Sequence, residues 1–260
     1  MMEKLAVSTK GSLATVPEYL KNAVGVMDAE AEIKNDDLLI PRLSVAQDGM
    51  SPQLKKQHEL FIPGLEAGQL FNTVTSEVYG DEAVVIPLFF NKNYIEFEPG
   101  GALKVVSIYK DASEVPEGGL SWGTGPDGKR VAPIVTEFKN RMCLVLSNSG
   151  QWQPIVVSFK KGEVKFSDQW NSLIKFARLA DRLPCFAHTY KVVPKMKTDG
   201  SKSWFVKTVK AFGFTPEAIF GEAKSYFEQL SQGGYTVDTT GIEPEGENAD
   251  EGDASFDQQQ

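Results

Sequence analysis

The hydrophobic period of this chain changes twice, and those two changes constrain its fold more than any other feature. Between residues 70 and 159 the apolar stretches are short, rich in β-branched and aromatic residues, and separated by turn residues, as strands are. Over 166–179 the spacing becomes helical, with Phe166, Trp170, Leu173, Ile174, Ala177 and Ala180 on one face. Lys175, Arg178 and Arg182 gather at its C-terminal end, where the helix dipole favours cations, and Pro184 stops it. Strand character then returns over 186–193 and 203–212, joined by the turn Thr198-Asp199-Gly200-Ser201.

The upstream strands are expected over 70–78, 84–90, 94–98 and 103–109, with Pro87 marking an edge or a bulge. The segments 141–146 and 154–159 read as a hairpin about Ser147-Asn148-Ser149-Gly150. Thr215-Pro216-Glu217 caps a last helix reaching about Leu230. Strands, one helix, then two more strands is the order of an OB fold, whose single helix lies between the third and fourth strands. The fold class expected is therefore mainly β: a five-stranded OB-fold barrel with one inter-strand helix, loop insertions and a C-terminal helix. Residues 1–36 read as a flexible arm, in which Val16-Pro17-Glu18-Tyr19-Leu20 opens a short helix. Residues 37–232 read as the OB domain, and 233–260 as a disordered acidic tail.

Charge divides the chain more sharply than its average suggests. It holds 27 Lys and Arg against 35 Asp and Glu, for a net charge of -8. Eight of the carboxylates lie beyond Thr236, with no Lys or Arg among them, so the rest is formally neutral. Block charge with Gly, Pro, Asn and Gln cannot bury enough apolar surface to fold. Between Gln151 and Lys210, twelve cations oppose only Glu163, Asp168, Asp181 and Asp199, an excess equal in size to the tail's charge. Aromatic residues are interleaved with those cations. Lysines track phosphates, and aromatic faces stack any base. A solvated basic face over an aromatic core explains the same run, and the matching acidic tail tips the reading toward a nucleic-acid groove.

The candidate DNA-binding residues are Trp152, Lys160, Lys161, Lys165, Trp170, Tyr190, Lys191, Trp204 and Lys207. Trp170 sits on the apolar helical face, which leaves a core role open to it; Tyr190 and Trp204 lie in lysine-rich strands and are the better platforms. Asp250, Glu251, Asp253, Phe256 and Asp257 are the candidate partner-binding residues of the tail, with Phe256 suited to a pocket on another protein.

Two segments carry the features of a more specific likeness. Leu39-Ile40-Pro41-Arg42-Leu43, Gln47, Ser51-Pro52 and Gly68-Gln69-Leu70-Phe71-Asn72 resemble the opening of a group of bacteriophage proteins. Pro154-Ile155-Val156-Val157-Ser158-Phe159, Trp170-Asn171-Ser172-Leu173 and Leu183-Pro184-Cys185-Phe186-Ala187 resemble its second half. Members are described as phage single-stranded DNA-binding proteins or left uncharacterised, and the likeness covers residues 38–212 loosely. It implies an OB fold and single-stranded DNA binding in phage replication or recombination, and it transfers no binding residue.

Four further patterns bear on function. Gly123-Thr124-Gly125-Pro126-Asp127-Gly128-Lys129 approaches a P-loop, but Arg130 stands where a Ser or Thr hydroxyl is needed and Pro126 removes an amide donor, so a Gly-Pro-Asp-Gly turn is the favoured reading. Asp127, Glu137 and Lys139 fit a short metal-nuclease pattern, in which two carboxylates hold a divalent cation and the lysine activates water. Cys143 and Cys185 lie in apolar segments and read as small buried side chains in a reducing compartment. His58 and His188 are far apart in sequence and suggest no dyad. No catalytic residue, metal or cofactor is expected. The partners expected are single-stranded DNA and, through the tail, phage replication or recombination proteins, in the cytoplasm of an infected host. No membrane is expected, and self-association is compatible with the sequence. A metal-dependent nuclease and a phage structural or scaffold protein are the alternatives.

Overall fold

The computed structural model describes residues 41–98, 105–125 and 128–231, with backbone alone over 178–181. The arm with its short helix, Asp127 and the acidic tail lie outside the described residues. The elements in chain order are β1 (Leu43–Val45), β2 (Leu70–Asn72), β3 (Val78–Gly80), β4 (Ala83–Phe97), β5 (Val105–Tyr109), β6 (Gly123–Thr124), β7 (Arg130–Val131), β8 (Val135–Leu146), β9 (Trp152–Lys160), α1 (Val164–Asp181), β10 (His188–Asp199), β11 (Lys202–Phe214) and α2 (Glu217–Ser231). The main sheet follows the path β11-β10-β4-β8-β9, with β5 added to β4. Every ladder in it is antiparallel.

Several elements differ from the sequence expectation for local reasons. The strand expected over 70–78 is two short strands, β2 and β3. The Asn72 side-chain oxygen accepts the N–H groups of Val74 (2.9 Å) and Thr75 (3.0 Å) and folds the chain back between them. The two strands expected over 84–90 and 94–98 are one continuous strand, because Asn91, Lys92 and Asn93 stay in register with Asn140, Lys139 and Phe138 of β8. Pro87 lies inside this strand, next to a register shift between Pro87 and Phe89 that accommodates its missing donor. The β10–β11 hairpin runs further than expected, out to Asp199 and on to Phe214.

The main sheet is covered on both faces. Cys143, Val145, Ile155, Val157 and Phe159 point to one side, where Trp170 and Ile174 of α1 close the core. Met142, Leu144 and Val156 point to the other, against Ile219, Ala223 and Leu230 of α2. A strand buried on both faces is apolar throughout, which is why residues 142–146 show no alternation.

The structure is mainly β and antiparallel, with one helix between β9 and β10, but its backbone ladders do not form a closed barrel. Among the described residues β9 and β11 share no ladder. The gap between them is bridged by other means. Val156 donates its N–H to Pro41 O (2.8 Å), and Arg42 forms a parallel bridge with Val156. The Gln47 side chain then imitates a strand on the other side, accepting from Phe205 N (2.8 Å) and donating to Phe205 O (2.7 Å). Glu163, between β9 and α1, accepts Lys207 N–H of β11 at 2.7 Å.

Candidate nucleic-acid interface

Residues directly opposite in an antiparallel ladder point to the same side. In the β10–β11 hairpin the facing pairs are Lys191 with Lys210, Lys195 with Val206, Lys197 with Trp204, and Asp199 with Lys202. Phe212, 56% exposed, joins this side beside Lys191, whereas a register shift after Ala211 pairs Phe214 with His188 on the opposite side. This side of β11 runs Lys202, Trp204, Val206, Thr208, Lys210 and Phe212, with Val206 buried in its middle, and Lys195 and Lys191 flank it on β10. At ~3.3 Å per residue, Trp204 and Phe212 lie roughly 26 Å apart along the strand. The opposite side of the hairpin turns Tyr190, Val192, Phe205 and Val209 into the core.

Neighbouring contacts hold several of these groups in place. Lys191 Nζ pairs with Glu82 (2.6 Å) and lies 4.4 Å from the centroid of the Phe212 ring. Lys197 and Lys165 approach the Phe166 ring from 5.4 and 5.9 Å, which brings the start of α1 to the hairpin. Lys161 is exposed at the preceding turn, with φ 49°, and Lys160 is half-buried at the end of β9. Lys160, Lys207, Glu163, Arg42, Ser158 and Phe138 line part of a cavity of about 400 Å³ between the β1 segment and the end of β9.

Three of the expected contact residues lie in the interior. Trp170 is 1% exposed and Tyr190 2%, with ring centroids 5.7 Å apart in an edge-on contact. Burial pushes the Tyr190 phenol up to about 12. Lys207 is 6% exposed, and its ammonium pairs with Glu163 at 3.0 Å. None of the three presents a face or charge to a strand laid on the surface. The reason is the docking of α1 on the sheet, which local periodicity does not reveal. Trp152 is half-buried against the α2 cluster. Trp204, Lys160, Lys161, Lys165 and Lys191 remain at or near the surface. Sequence reading missed Phe212; extending the two-residue alternation of β11 past Lys210 was the available signal. The tail residues Asp250, Glu251, Asp253, Phe256 and Asp257 fall outside the described residues.

The motifs set aside in the sequence now have a geometry. Gly123 and Thr124 pair with Val131 and Arg130 in a small hairpin, and Trp122 is stacked by the Arg130 guanidinium at 4.1 Å. Strand, not helix, follows it, unlike a P-loop. Glu137 is paired with Lys92 (3.2 Å) and Lys139 with Asp168 (2.6 Å). Among the described residues no three His, Cys, Asp or Glu side chains gather as metal ligands would. Cys143 is buried, with its thiol pKa raised by that burial, and Cys185 is partly buried; neither forms a disulfide. No described helix is long and apolar enough to cross a membrane.

The chain matches a family of known proteins. Residues 9–236 fit the family described as Pam3 phage gp34-like protein. The chain belongs to this phage protein family. No curated protein and no solved structure matches it. The match to the gp34-like family takes in every described element and stops short of the eight tail carboxylates.

Proposed function

We propose that this gp34-like protein binds single-stranded DNA without strong sequence preference, on the outward side of the β10–β11 hairpin. The observation that carries the reading is that Lys202, Trp204, Lys210 and Phe212 share one side of β11, on either side of the buried Val206, flanked by Lys195 and Lys191. Lysines in such a row neutralise phosphates, and the aromatic faces between them stack bases at ~1–3 kcal/mol each. An OB-type arrangement supports the same reading. The strand path β9-β8-β4-β10-β11 with α1 between β9 and β10 is the OB order, and OB barrels are often partly open. The side-chain bridges at Gln47 and Glu163 stand where the last ladder would close. The protein then acts without catalysis in phage replication or recombination, in the host cytoplasm. Its tail serves partner recruitment or competition for the cationic row.

The test is a fluorescence titration of oligo-dT and of duplex DNA at two salt concentrations, with and without magnesium. Binding to the single strand that falls linearly in log affinity against log salt supports the proposal. Equal affinity for duplex, a flat salt response, or metal-dependent cleavage overturns it.

A further inference from the structure

Buried cations in this sheet are paired with carboxylates, with one exception. Lys139 has Asp168 at 2.6 Å and Lys207 has Glu163 at 3.0 Å. Arg141, on the same side of β8 as Lys139, is only 7% exposed, and among the described residues no carboxylate pairs with it. Its guanidinium carbon lies 4.8 Å from the centroid of the Phe90 ring and 5.2 Å from that of Trp170. Nη2 donates to the Asn171 side-chain oxygen, a neutral acceptor. The Arg141 Nε–H and the Trp170 Nε1–H are both buried and have no acceptor.

A guanidinium does not deprotonate in proteins, so this charge persists although burial pushes its pKa down. The two aromatic rings compensate part of it by cation–π attraction. They offer nothing to the two N–H groups, each of which forfeits a hydrogen bond. A cation without an anion, beside an orphaned second donor, is the complement of an oxyanion with several lone pairs. Asn171 is only partly buried, so exchanging its carbonyl oxygen for an incoming one needs a side-chain swing rather than unfolding.

We propose that Arg141 and Trp170 form a recessed oxyanion site, held closed by Asn171, that takes a phosphate group. The phosphate comes either from a nucleic-acid backbone or from free phosphate. The backbone source rests on the DNA-binding reading above, and the free source does not.

The first test is thermal melting of the full chain in chloride and in inorganic phosphate, at matched ionic strength and pH. A bound ligand raises stability in proportion to the logarithm of its concentration over Kd. Wild-type Tm should rise with phosphate beyond the general salting effect, which Arg141→Met still shows. Arg141→Met should also melt no lower than wild type in chloride, because an unpaired buried charge has been removed. Parallel phosphate responses of the two proteins overturn the proposal, as does a lower Tm of the variant with no specific response in wild type. Should Arg141→Met fail to fold, Asn171→Ala decides. Removing the neutral acceptor should lower the phosphate concentration giving half the shift, and an unchanged or higher concentration overturns the site. Oligo-dT titration distinguishes the sources. Loss of about tenfold affinity in Arg141→Met indicates backbone phosphate. Unchanged DNA affinity with a lost inorganic response indicates free phosphate. If wild type binds no DNA, the DNA-binding reading fails and the inorganic titration alone judges the site.

Discussion

Glu163→Ala removes the carboxylate that ties β11 to the end of β9 across the unladdered gap. One oxygen accepts Lys207 N–H at 2.7 Å and the other holds Lys207 Nζ at 3.0 Å. Both side chains are about nine-tenths buried, at 11% and 8% exposure. Truncation therefore leaves an ammonium ion and a backbone donor in the interior with their main acceptor gone. Breaking one side of a buried pair costs about 3–5 kcal/mol. An orphaned buried N–H alone costs about 1–3 kcal/mol. The two losses share one carboxylate and do not add fully, so we expect about 4 kcal/mol in total. With an m value near ~2 kcal/mol/M, the urea midpoint should fall by roughly 2 M. Glu163→Leu combined with Lys207→Met removes both charges and should recover most of that loss. The assay is equilibrium urea unfolding of wild type, Glu163→Ala and the double variant. A Glu163→Ala cost under about 1 kcal/mol would place the pair with solvated surface ion pairs and refute the reasoning.

Three further outcomes are expected. Trp204→Ala should weaken single-stranded DNA binding by ~1–3 kcal/mol while Trp122→Ala, whose ring is stacked by Arg130, leaves it nearly unchanged; unaltered affinity of a folded Trp204→Ala protein removes that residue from the interface. Deleting residues 236–260 should tighten DNA binding at low salt, since a short tether holds its eight carboxylates at an effective concentration of order millimolar near the cationic row, and screening beyond ~10 Å at 0.1 M salt should erase the difference. Weaker or equal binding by the truncated protein, measured across a salt series, removes the competition. Tyr79 and Tyr190 both have phenols raised from 10.0 to about 12, chiefly by burial. A raised folded pKa gives stability that is present in full below pH 10 and lost as pH climbs toward about 12. Denaturant midpoints should fall across that window, and Tyr190→Phe should flatten the fall; an identical slope in the variant contradicts the assignment.

What could be read from residues alone was whatever depends on near neighbours in the chain. The helical spacing from Phe166 and the turn residues around Gly150 and Gly200 placed α1 and two hairpins. The Thr215-Pro216-Glu217 cap placed α2. The same alternation that marked β11 also put Trp204 among lysines. Extended past Lys210, it would have added Phe212 as well, although the bulge there turns Phe214 to the other side.

Burial of the aromatic and charged residues was decided only in three dimensions. Trp170 and Tyr190 are chemically fit to stack bases, but α1 folds onto the sheet and uses their surfaces to stack against one another. Lys207 is a lysine in a lysine-rich strand, yet it faces the interior because Glu163 waits there from a segment 44 residues away. The two-sided apolar character of β8 was visible, but only the docking of α2 explains it. Arg141 went unnoticed for the same reason, since an unpaired cation is defined by the absence of a neighbour from elsewhere in the chain. Periodicity reports which side a residue shares with its sequence neighbours. Only tertiary packing settles which sides meet water, and solvation then decides whether a lysine binds a phosphate or a glutamate.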